Sequence, residues 1–150
     1  SLLVSGMVTV SPRVTFGLSQ LNSANAMRKA ESRHVRALII SSVGAGSSRI
    51  IVGFGIGKVI SYHLKHVLSD HTGQELAFST HPELRVRACI VRATALTDNK
   101  ATGKLVTFED REKSPSIETD RVDLADWVTK EIFRNSPLGG KVVNVTGVKI

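Results

Sequence analysis

Long apolar runs mark the strands of this chain. The run 37–40 (Ala-Leu-Ile-Ile) stops at two serines and a glycine-rich loop, as a strand buried on both faces of a parallel sheet does. Shorter or partly alternating runs predict further strands, one of which, beside a run of charges, is typical of a sheet edge. These strands are predicted over 2–4, 84–91, 104–108 (the edge) and 141–145.

Apolar residues spaced three or four apart predict helices between the strands. One helix is predicted over 18–30 and a long one over 57–79, which Gly73 weakens in its middle. The last helix begins at Asp120 or Asp123, either of which can serve as its N-cap. Because strands and helices alternate, the sequence predicts a layered α/β domain with a mostly parallel sheet.

The composition bounds the class of protein. With 150 residues, 41% of them hydrophobic and 22% charged, residues 1–150 are expected to form a single domain around one core. The lone cysteine, Cys89, excludes both a disulfide framework and a cysteine zinc cluster. No apolar run of the length of a membrane span is present, and the N-terminus does not resemble a signal peptide, so a cytoplasmic protein is expected.

The charge is unevenly distributed. The formal net charge is +7, and residues 1–100 hold 12 Lys/Arg against 5 Asp/Glu, whereas residues 101–150 hold 8 of each. The cations are scattered singly, so a nucleic-acid partner is not expected. A basic surface would suit an anionic ligand such as a dinucleotide, or a protein partner.

Two motifs invite a comparison with known binding sites. The glycines of 53–57 are spaced G-x-G-x-G rather than G-x-G-x-x-G, and no G-K-[ST] occurs, so neither a dinucleotide fingerprint nor a P-loop is indicated. Ser41 and Ser42 end a buried strand at the edge where open α/β sheets place ligands. The alternative is that they only cap the loop, and no nucleophile elbow surrounds Ser42.

The long helix carries several polar side chains that could do chemistry. Three histidines, His63, His66 and His71, lie at spacings that a metal site could use, but such spacings are common, so no metal site is predicted. His71 and Glu75, one turn apart, form a candidate acid/base pair.

Four segments occur together in this order: 38–46 (LIISSVGAG), 64–75 (LKHVLSDHTGQE), 90–98 (IVRATALTD) and 117–127 (IETDRVDLADW). Together they resemble the atypical short-chain dehydrogenase/reductases of the NmrA-like, NAD(P)-binding group. The third and fourth segments are similar to the patterns I-V-R-P-x-x-L-T-D and I-S-R-x-D-V-A of that group, with Ala93 in place of the usual proline.

The resemblance implies a Rossmann-like three-layer fold without its N-terminal β-α units, which carry the phosphate-binding loop. It implies an NAD(P) cofactor and a cleft bordered by two short stretches. These are Ser41, Ser42, Val43 and Gly44, and Val91, Arg92, Ala93 and Thr94.

The resemblance also implies catalytic candidates. The group's Tyr-x-x-x-Lys pair is absent, with Val67 and His71 at its two places, so proton transfer would fall to His71, Tyr62 or the substrate itself, with Ser42 beside the substrate. The implied function is oxidoreductase or isomerase-like action on a small organic substrate. The alternative is a non-catalytic protein of the same group, either a dinucleotide-sensing regulator or a partner-binding protein. An exposed sheet edge would favour homo-oligomers.

Overall fold

A computed structural model of the chain describes residues 37–51, 56–133 and 139–148. These residues form one strand, three helices, four strands, a fourth helix and a last strand. Their order is β1 (Ala37–Ser42), α1 (Ile56–His63), α2 (Lys65–Ser79), α3 (Pro82–Arg85), β2 (Ala88–Ala93), β3 (Ala95–Thr97), β4 (Leu105–Phe108), β5 (Glu118–Asp120), α4 (Arg121–Phe133) and β6 (Val142–Gly147). Three predicted features lie outside the described residues: the strand 2–4, the helix 18–30, and residues 52–55 of the glycine-containing segment.

The main sheet has four strands in the order β1-β2-β6-β4. The first three are parallel, and β4 joins the edge antiparallel to β6, which confirms both the mostly parallel sheet and the predicted edge strand. Strands β3 and β5 form a separate parallel pair. In the main sheet Ser41 is in register with Arg92, and Arg92 with Asn144.

Helices cover both faces of the sheet. One face packs on α2 and α3, and the opposite face packs on α4. The first core comprises Ala37, Ile39, Phe78, Leu84, Ala88 and Ile90. The second comprises Cys89, Val91, Ala93, Leu124 and Val145. None of the helices in the described residues is long and apolar enough to cross a membrane.

The structure corrects two of the predicted strands. The strand predicted to begin at Leu84 begins at Ala88, because Pro82 opens the short helix α3 and Leu84 is buried within that helix. Strand β1 is not buried on both faces: its residues alternate between buried and half-buried, whereas all six residues of β2 are buried.

The helix predictions also need correction in detail. The predicted helix 57–79 consists of two helices, α1 and α2, separated at Leu64. Helix α2 continues through Gly73, where a β-carbon would meet no atom within 4 Å. Asp120 caps α4, since its Oδ1 accepts the backbone N–H of Val122 at 2.8 Å. Asp123 lies inside the first turn of α4.

Candidate functional site

A cleft of about 180 Å³ opens at the carboxyl ends of β1 and β2. One wall follows β1 and the helices after it, and the other wall is the segment from the end of β4 to β5. The first wall comprises Ser42, Val43, Arg49, Ile50, Ile51, Ile60 and Leu64, and the second Phe108, Glu112, Ser114, Ser116, Ile117 and Glu118, with Thr94 and Ala95 between them. The lining is predominantly apolar, with hydroxyls and three charged side chains among the aliphatic groups.

A tight turn after β1 shapes the first wall. Gly44 and Gly46 have φ angles of +101° and +58°, which favour glycine. Ser48 Oγ accepts the N–H of Gly44 and donates to the carbonyl of Ala45, both at 2.8 Å. The N–H of Gly46 donates to Thr72 Oγ1 of α2 at 3.0 Å, so the turn is held to the helix.

A buried ion pair lies directly under this turn. Arg92 of β2 and Glu75 of α2 are 3% and 5% exposed. Arg92 Nε donates to Glu75 Oε1 at 2.9 Å and Arg92 Nη2 to Glu75 Oε2 at 2.7 Å, while Ser41 Oγ donates to Oε1 at 2.6 Å. A β-carbon at Gly46 would collide with both the carboxylate and the guanidinium, so glycine is required there.

The network continues to the second wall of the cleft. Arg92 Nη1 donates to both oxygens of Asp110, at 3.2 and 3.4 Å. Asn144 Nδ2 donates to Asp110 Oδ1 at 2.8 Å and to the carbonyl of Phe108 at 3.2 Å. Burial lowers the pKa of the Arg92 guanidinium, but the hydrogen bonds and charges of Glu75 and Asp110 raise that pKa more, so it lies above its ordinary value. The charged network therefore ties both walls to the sheet.

Three threonine hydroxyls form a second buried cluster beside the cleft. Thr94 Oγ1 lies 2.7 Å from Thr119 Oγ1 and 3.0 Å from Thr146 Oγ1. Thr146 Oγ1 donates to the carbonyl of Ser116 at 2.8 Å, so it must accept its bond with Thr94. Thr94 therefore donates to Thr146 and accepts from Thr119, and its hydroxyl can offer the cleft only a lone pair.

The predicted cofactor residues fall into three groups. Ser42, Val43 and Thr94 line the cleft. Ser41 and Arg92 bind Glu75 beneath it, in the network described above.

The remaining predicted cofactor residues do not line the cleft. Gly44 lies in the turn, against Ile50. Val91 and Ala93 point to the opposite face of the sheet, in the core with α4. Their burial follows from strand alternation, which places them opposite Arg92.

Of the three predicted catalytic residues, Ser42 alone is among the lining residues of the cleft. Tyr62 is 76% exposed, and its ring meets the edge of the His63 ring at 5.9 Å between centroids. His71 is half-buried on α2, and its Nδ1 is enclosed without a hydrogen-bond partner in the described residues. Both oxygens of Glu75 are bound by Ser41 and Arg92, which leaves the predicted His71 and Glu75 pair without a bond through Nδ1.

Glu75, Asp110 and Asn144 were not predicted as parts of one network. Their partners lie 17 to 36 residues away, so no local spacing reveals them. One signal was present: Arg92 interrupts a buried apolar strand, and a buried guanidinium requires an acidic partner.

Within the described ranges, no group of three or more His, Cys, Asp or Glu residues is arranged to hold a metal ion. Cys89 is free and buried, and burial, together with the charge of Glu131, raises the pKa of its thiol to about 11. Its thiol is therefore a core group and not a nucleophile at neutral pH.

Compared by sequence, the chain matches no family model and no curated protein. Compared by structure, it is similar to the anaerobillin reductase ChuY from Escherichia coli, with a TM-score of 0.66 at 16% identity over 94% of this chain and 63% of that one. It is also similar to the oxidoreductase ylbE from Lactococcus lactis, with a TM-score of 0.66 at 20% identity over 93% of this chain and 60% of that one. A third similar structure is a short-chain dehydrogenase/reductase from Veillonella parvula in complex with NADP, with a TM-score of 0.65 at 13% identity over 87% of this chain and 58% of that one.

At these identities the similarity establishes the fold. The chain has a Rossmann-like α/β fold with a mostly parallel sheet, as the sequence predicts. It spans between 58% and 63% of the length of these three proteins.

Proposed function

We propose that this chain is part of an NAD(P)-binding oxidoreductase of the atypical short-chain dehydrogenase/reductase type, similar to the NmrA-like group, acting on a small organic substrate. The observation that carries the proposal is the cleft at the carboxyl ends of the parallel strands β1 and β2. Open α/β sheets bind their ligands at this edge. The similar structure in complex with NADP supports the same cofactor class.

Residues of the first wall, together with Thr94 between the walls, fit the nicotinamide end of such a cofactor. Ser42, Val43 and Thr94 would border the ring, and the lone pair that Thr94 presents would accept an N–H of its carboxamide. Arg49 lies on the same wall and offers a cation to an anionic dinucleotide. A bound nicotinamide would supply hydride chemistry, which no side chain of the cleft can supply.

The test is a titration of the chain with NADPH and, separately, NADH, following the fluorescence of the dinucleotide and of Trp127. We expect saturable binding in the micromolar range. Ser42→Phe, which fills the cleft from its lining, should abolish that binding, while Ser69→Phe, a matched change on the exposed side of α2, should leave it unchanged. A folded chain that binds neither dinucleotide would contradict the proposal.

A second candidate is a non-catalytic regulator of the same fold that senses a dinucleotide and binds a protein partner. The observation that favours it is the position of Tyr62 and His71, which are not among the residues lining the cleft. This candidate would be supported over the enzyme if the chain binds a dinucleotide but does not oxidise NADPH in the presence of small cyclic imines, ketones or enones.

A further inference from the structure

Most of the second wall of the cleft is a strap, residues 109–117, which joins β4 to β5 without forming a helix or a strand. Residues of the strap line the cleft at four positions: Glu112, Ser114, Ser116 and Ile117. Within the described residues, the hydrogen bonds of 111–115 stay inside the strap, such as the bond from the N–H of Glu112 to the carbonyl of Glu109 at 3.0 Å. The position of the strap therefore depends on how its two ends are held.

The end of the strap next to β5 is anchored in the folded sheet. The carbonyl of Ile117 accepts the N–H of Ala95 at 3.1 Å, which extends the pairing of β5 with β3. The carbonyl of Ser116 accepts the hydroxyl of Thr146 at 2.8 Å, and Thr146 is completely buried in β6. Buried hydrogen bonds within a sheet belong to the most stable part of a fold, so this end can serve as a hinge.

The end of the strap next to β4 is held through one carboxylate. Asp110 accepts hydrogen bonds from Arg92 Nη1 at 3.2 and 3.4 Å and from Asn144 Nδ2 at 2.8 Å. The Asp110 side chain is 41% exposed, whereas that of Arg92 is 3% exposed. Water can therefore replace the partners of Asp110, which lowers the free-energy cost of releasing this end of the strap.

The charge balance also makes Asp110 the group that can leave. Glu75 already neutralises Arg92 through two shorter hydrogen bonds, at 2.7 and 2.9 Å. With Asp110 added, two carboxylates face one guanidinium. Release of Asp110 leaves the buried pair of Glu75 and Arg92 intact, so no buried charge loses its counter-ion.

A spare hydrogen-bond acceptor lies on the strand beside Arg92. Asn144 is in register with Arg92 and is 5% exposed, and its Oδ1 has no hydrogen-bond partner in the described residues. Buried polar atoms without partners are uncommon in folded proteins. Once Asp110 has left, this oxygen is available to the N–H groups that Arg92 Nη1 no longer donates to Asp110. The open state therefore has a replacement for bonds that the closed state loses.

We infer that Asp110 is a latch: its bonds to Arg92 and Asn144 hold the strap closed, and their release lets the strap move about Ser116 and open the cleft. A ligand enters the open cleft, and the latched strap then holds the second wall against it. In the proposed oxidoreductase this makes Asp110 a positioning residue for the nicotinamide. That role rests on the proposed function, whereas the latch itself is tested without a dinucleotide.

The first test measures opening of the strap by cleavage with trypsin after Lys113, an exposed residue in its middle. D110A should raise the rate of this cleavage about tenfold, because it removes every bond of the latch. Each rate is divided by the rate for a synthetic peptide of residues 107–117 with the same substitution, so that the sequence preferences of trypsin cancel. Cleavage after Lys130, within α4, should not change, because opening of the strap leaves that helix folded.

Matched variants separate the latch from a general loss of stability. D110N keeps an oxygen that can accept from both Arg92 and Asn144, so its cleavage rate should stay within about twofold of the wild type. E109Q changes the neighbouring exposed carboxylate and keeps the latch, so it should have no effect. In urea unfolding, D110A should shift the midpoint by less than about a third of the shift caused by Arg92→Met, since it leaves the buried pair intact.

The second test measures the kinetics of NADPH binding by stopped-flow fluorescence. D110A should speed dissociation about tenfold without slowing association, because an open strap admits the ligand freely but holds it less firmly. A merely structural role would instead reduce the amplitude of binding, since fewer molecules would be folded, and would leave the dissociation rate unchanged.

Three results would overturn the latch: normalised cleavage after Lys113 that is equal in D110A and the wild type, an equal rise in cleavage after Lys130, or a urea midpoint shift as large as that of Arg92→Met. An unchanged rate of NADPH dissociation from D110A would overturn the positioning role. A folded wild-type chain that binds no dinucleotide contradicts the proposed oxidoreductase and with it the positioning role, while the cleavage experiment still decides whether the latch exists.

Discussion

The two faces of the main sheet bury different kinds of side chain. Toward α4, the inward side chains of β2 and β6, such as Val91 and Val145, are apolar up to the carboxyl ends of the strands. Toward α2, the face begins apolar at Ile39 and Ile90 but becomes charged one step further along, at Arg92, with Asn144 beside it. The cleft lies at that same end of the sheet.

The two faces should therefore respond differently to substitution. An apolar face is stabilised by buried area and packing, so the unfolding free energy lost on substitution scales with the side-chain volume removed. A buried charged face depends on complete pairing, because a single unpaired ion in the interior is far more costly than a lost methyl group. The charged face joins the turn after β1 to the end of β4, so it also sets how the two walls of the cleft face each other.

The largest effect is expected from breaking the ion pair on one side only. Arg92→Met leaves the Glu75 carboxylate buried without its cation, which should lower the free energy of unfolding by about 3–5 kcal/mol. Arg92→Lys keeps the charge but loses the paired hydrogen bonds at 2.7 and 2.9 Å, so it should be only partly destabilising. Urea unfolding at neutral pH measures both.

The double variant Glu75→Met/Arg92→Met distinguishes pairing from packing. Since it removes both charges and keeps the volume, it should recover much of the stability that Arg92→Met loses. If the double variant is as unstable as the single one, the α2 face depends on the shape of these side chains and not on their charge, and the contrast between the faces fails.

On the apolar face the matching change is Leu124→Ala. Leu124 is 5% exposed in the core with Val91 and Val145, so truncation should cost about 3 kcal/mol of unfolding free energy. Val122→Ala, on the same helix but 64% exposed, should cost less than about 0.5 kcal/mol. Neither change should alter the dependence of stability on salt, whereas Arg92→Met should; a salt-sensitive Leu124→Ala would argue against a purely apolar face.

The sequence predicts this architecture well where the signal is local. The apolar runs locate β1, β4 and β6 within two residues, and Asp120, one of the two predicted N-caps, lies at the start of α4. The strands β3 and β5 have three residues each and pair across more than 20 positions, so neither length nor periodicity marks them. The alternation in Leu84-Arg85-Val86-Arg87 imitates a strand, but Pro82 begins a helical turn there.

The candidate site is less predictable than the fold. The chain order places Ser42 and Thr94 at the carboxyl edge, since strand direction alone determines that position. The apolar stripe predicted for 57–79 is only partly correct: Leu68 and Phe78 are buried, but Val67 and Leu76 are 51% and 53% exposed. Tertiary contacts decide which side of α2 faces the sheet, and that side carries Glu75 because Arg92 lies opposite it.

A smaller effect is expected at the polar anchor of α4. Burial raises the pKa of the Asp123 carboxyl, but hydrogen bonds from the N–H groups of Thr102 and Gly103, both at 2.8 Å, and from the Thr102 hydroxyl lower it more, so its pKa lies below the ordinary value. The stabilisation is therefore present above the unfolded pKa of about 4 and is lost as the pH falls through the folded value.

Asp123→Asn should cost about 1.5 kcal/mol at neutral pH, because a charge-assisted set of hydrogen bonds becomes neutral or is lost. The cost should stay constant from neutral pH to about 4, the unfolded pKa, and then shrink as the pH falls through the lower folded pKa, below which the wild-type carboxyl is also protonated. Urea unfolding across this pH range measures the change. The exposed pair of Asp126 and Lys130, at 2.6 Å, is the control: Asp126→Asn should cost less than about 0.5 kcal/mol at any pH. An Asp123→Asn cost independent of pH would show that the loop is held by shape alone.

The smallest effect concerns the hydroxyl chain, where the two faces and the cleft meet. Thr94→Val keeps the volume but leaves Thr119 without its acceptor and Thr146 without its donor, so it should cost about 1 kcal/mol in urea unfolding. Thr94→Ser, which keeps the hydroxyl, should recover most of this loss. If Thr94 also presents its lone pair to the nicotinamide carboxamide, Thr94→Val should weaken NADPH binding several-fold more than Thr94→Ser does. Equal binding by the two variants would show that Thr94 serves the fold alone.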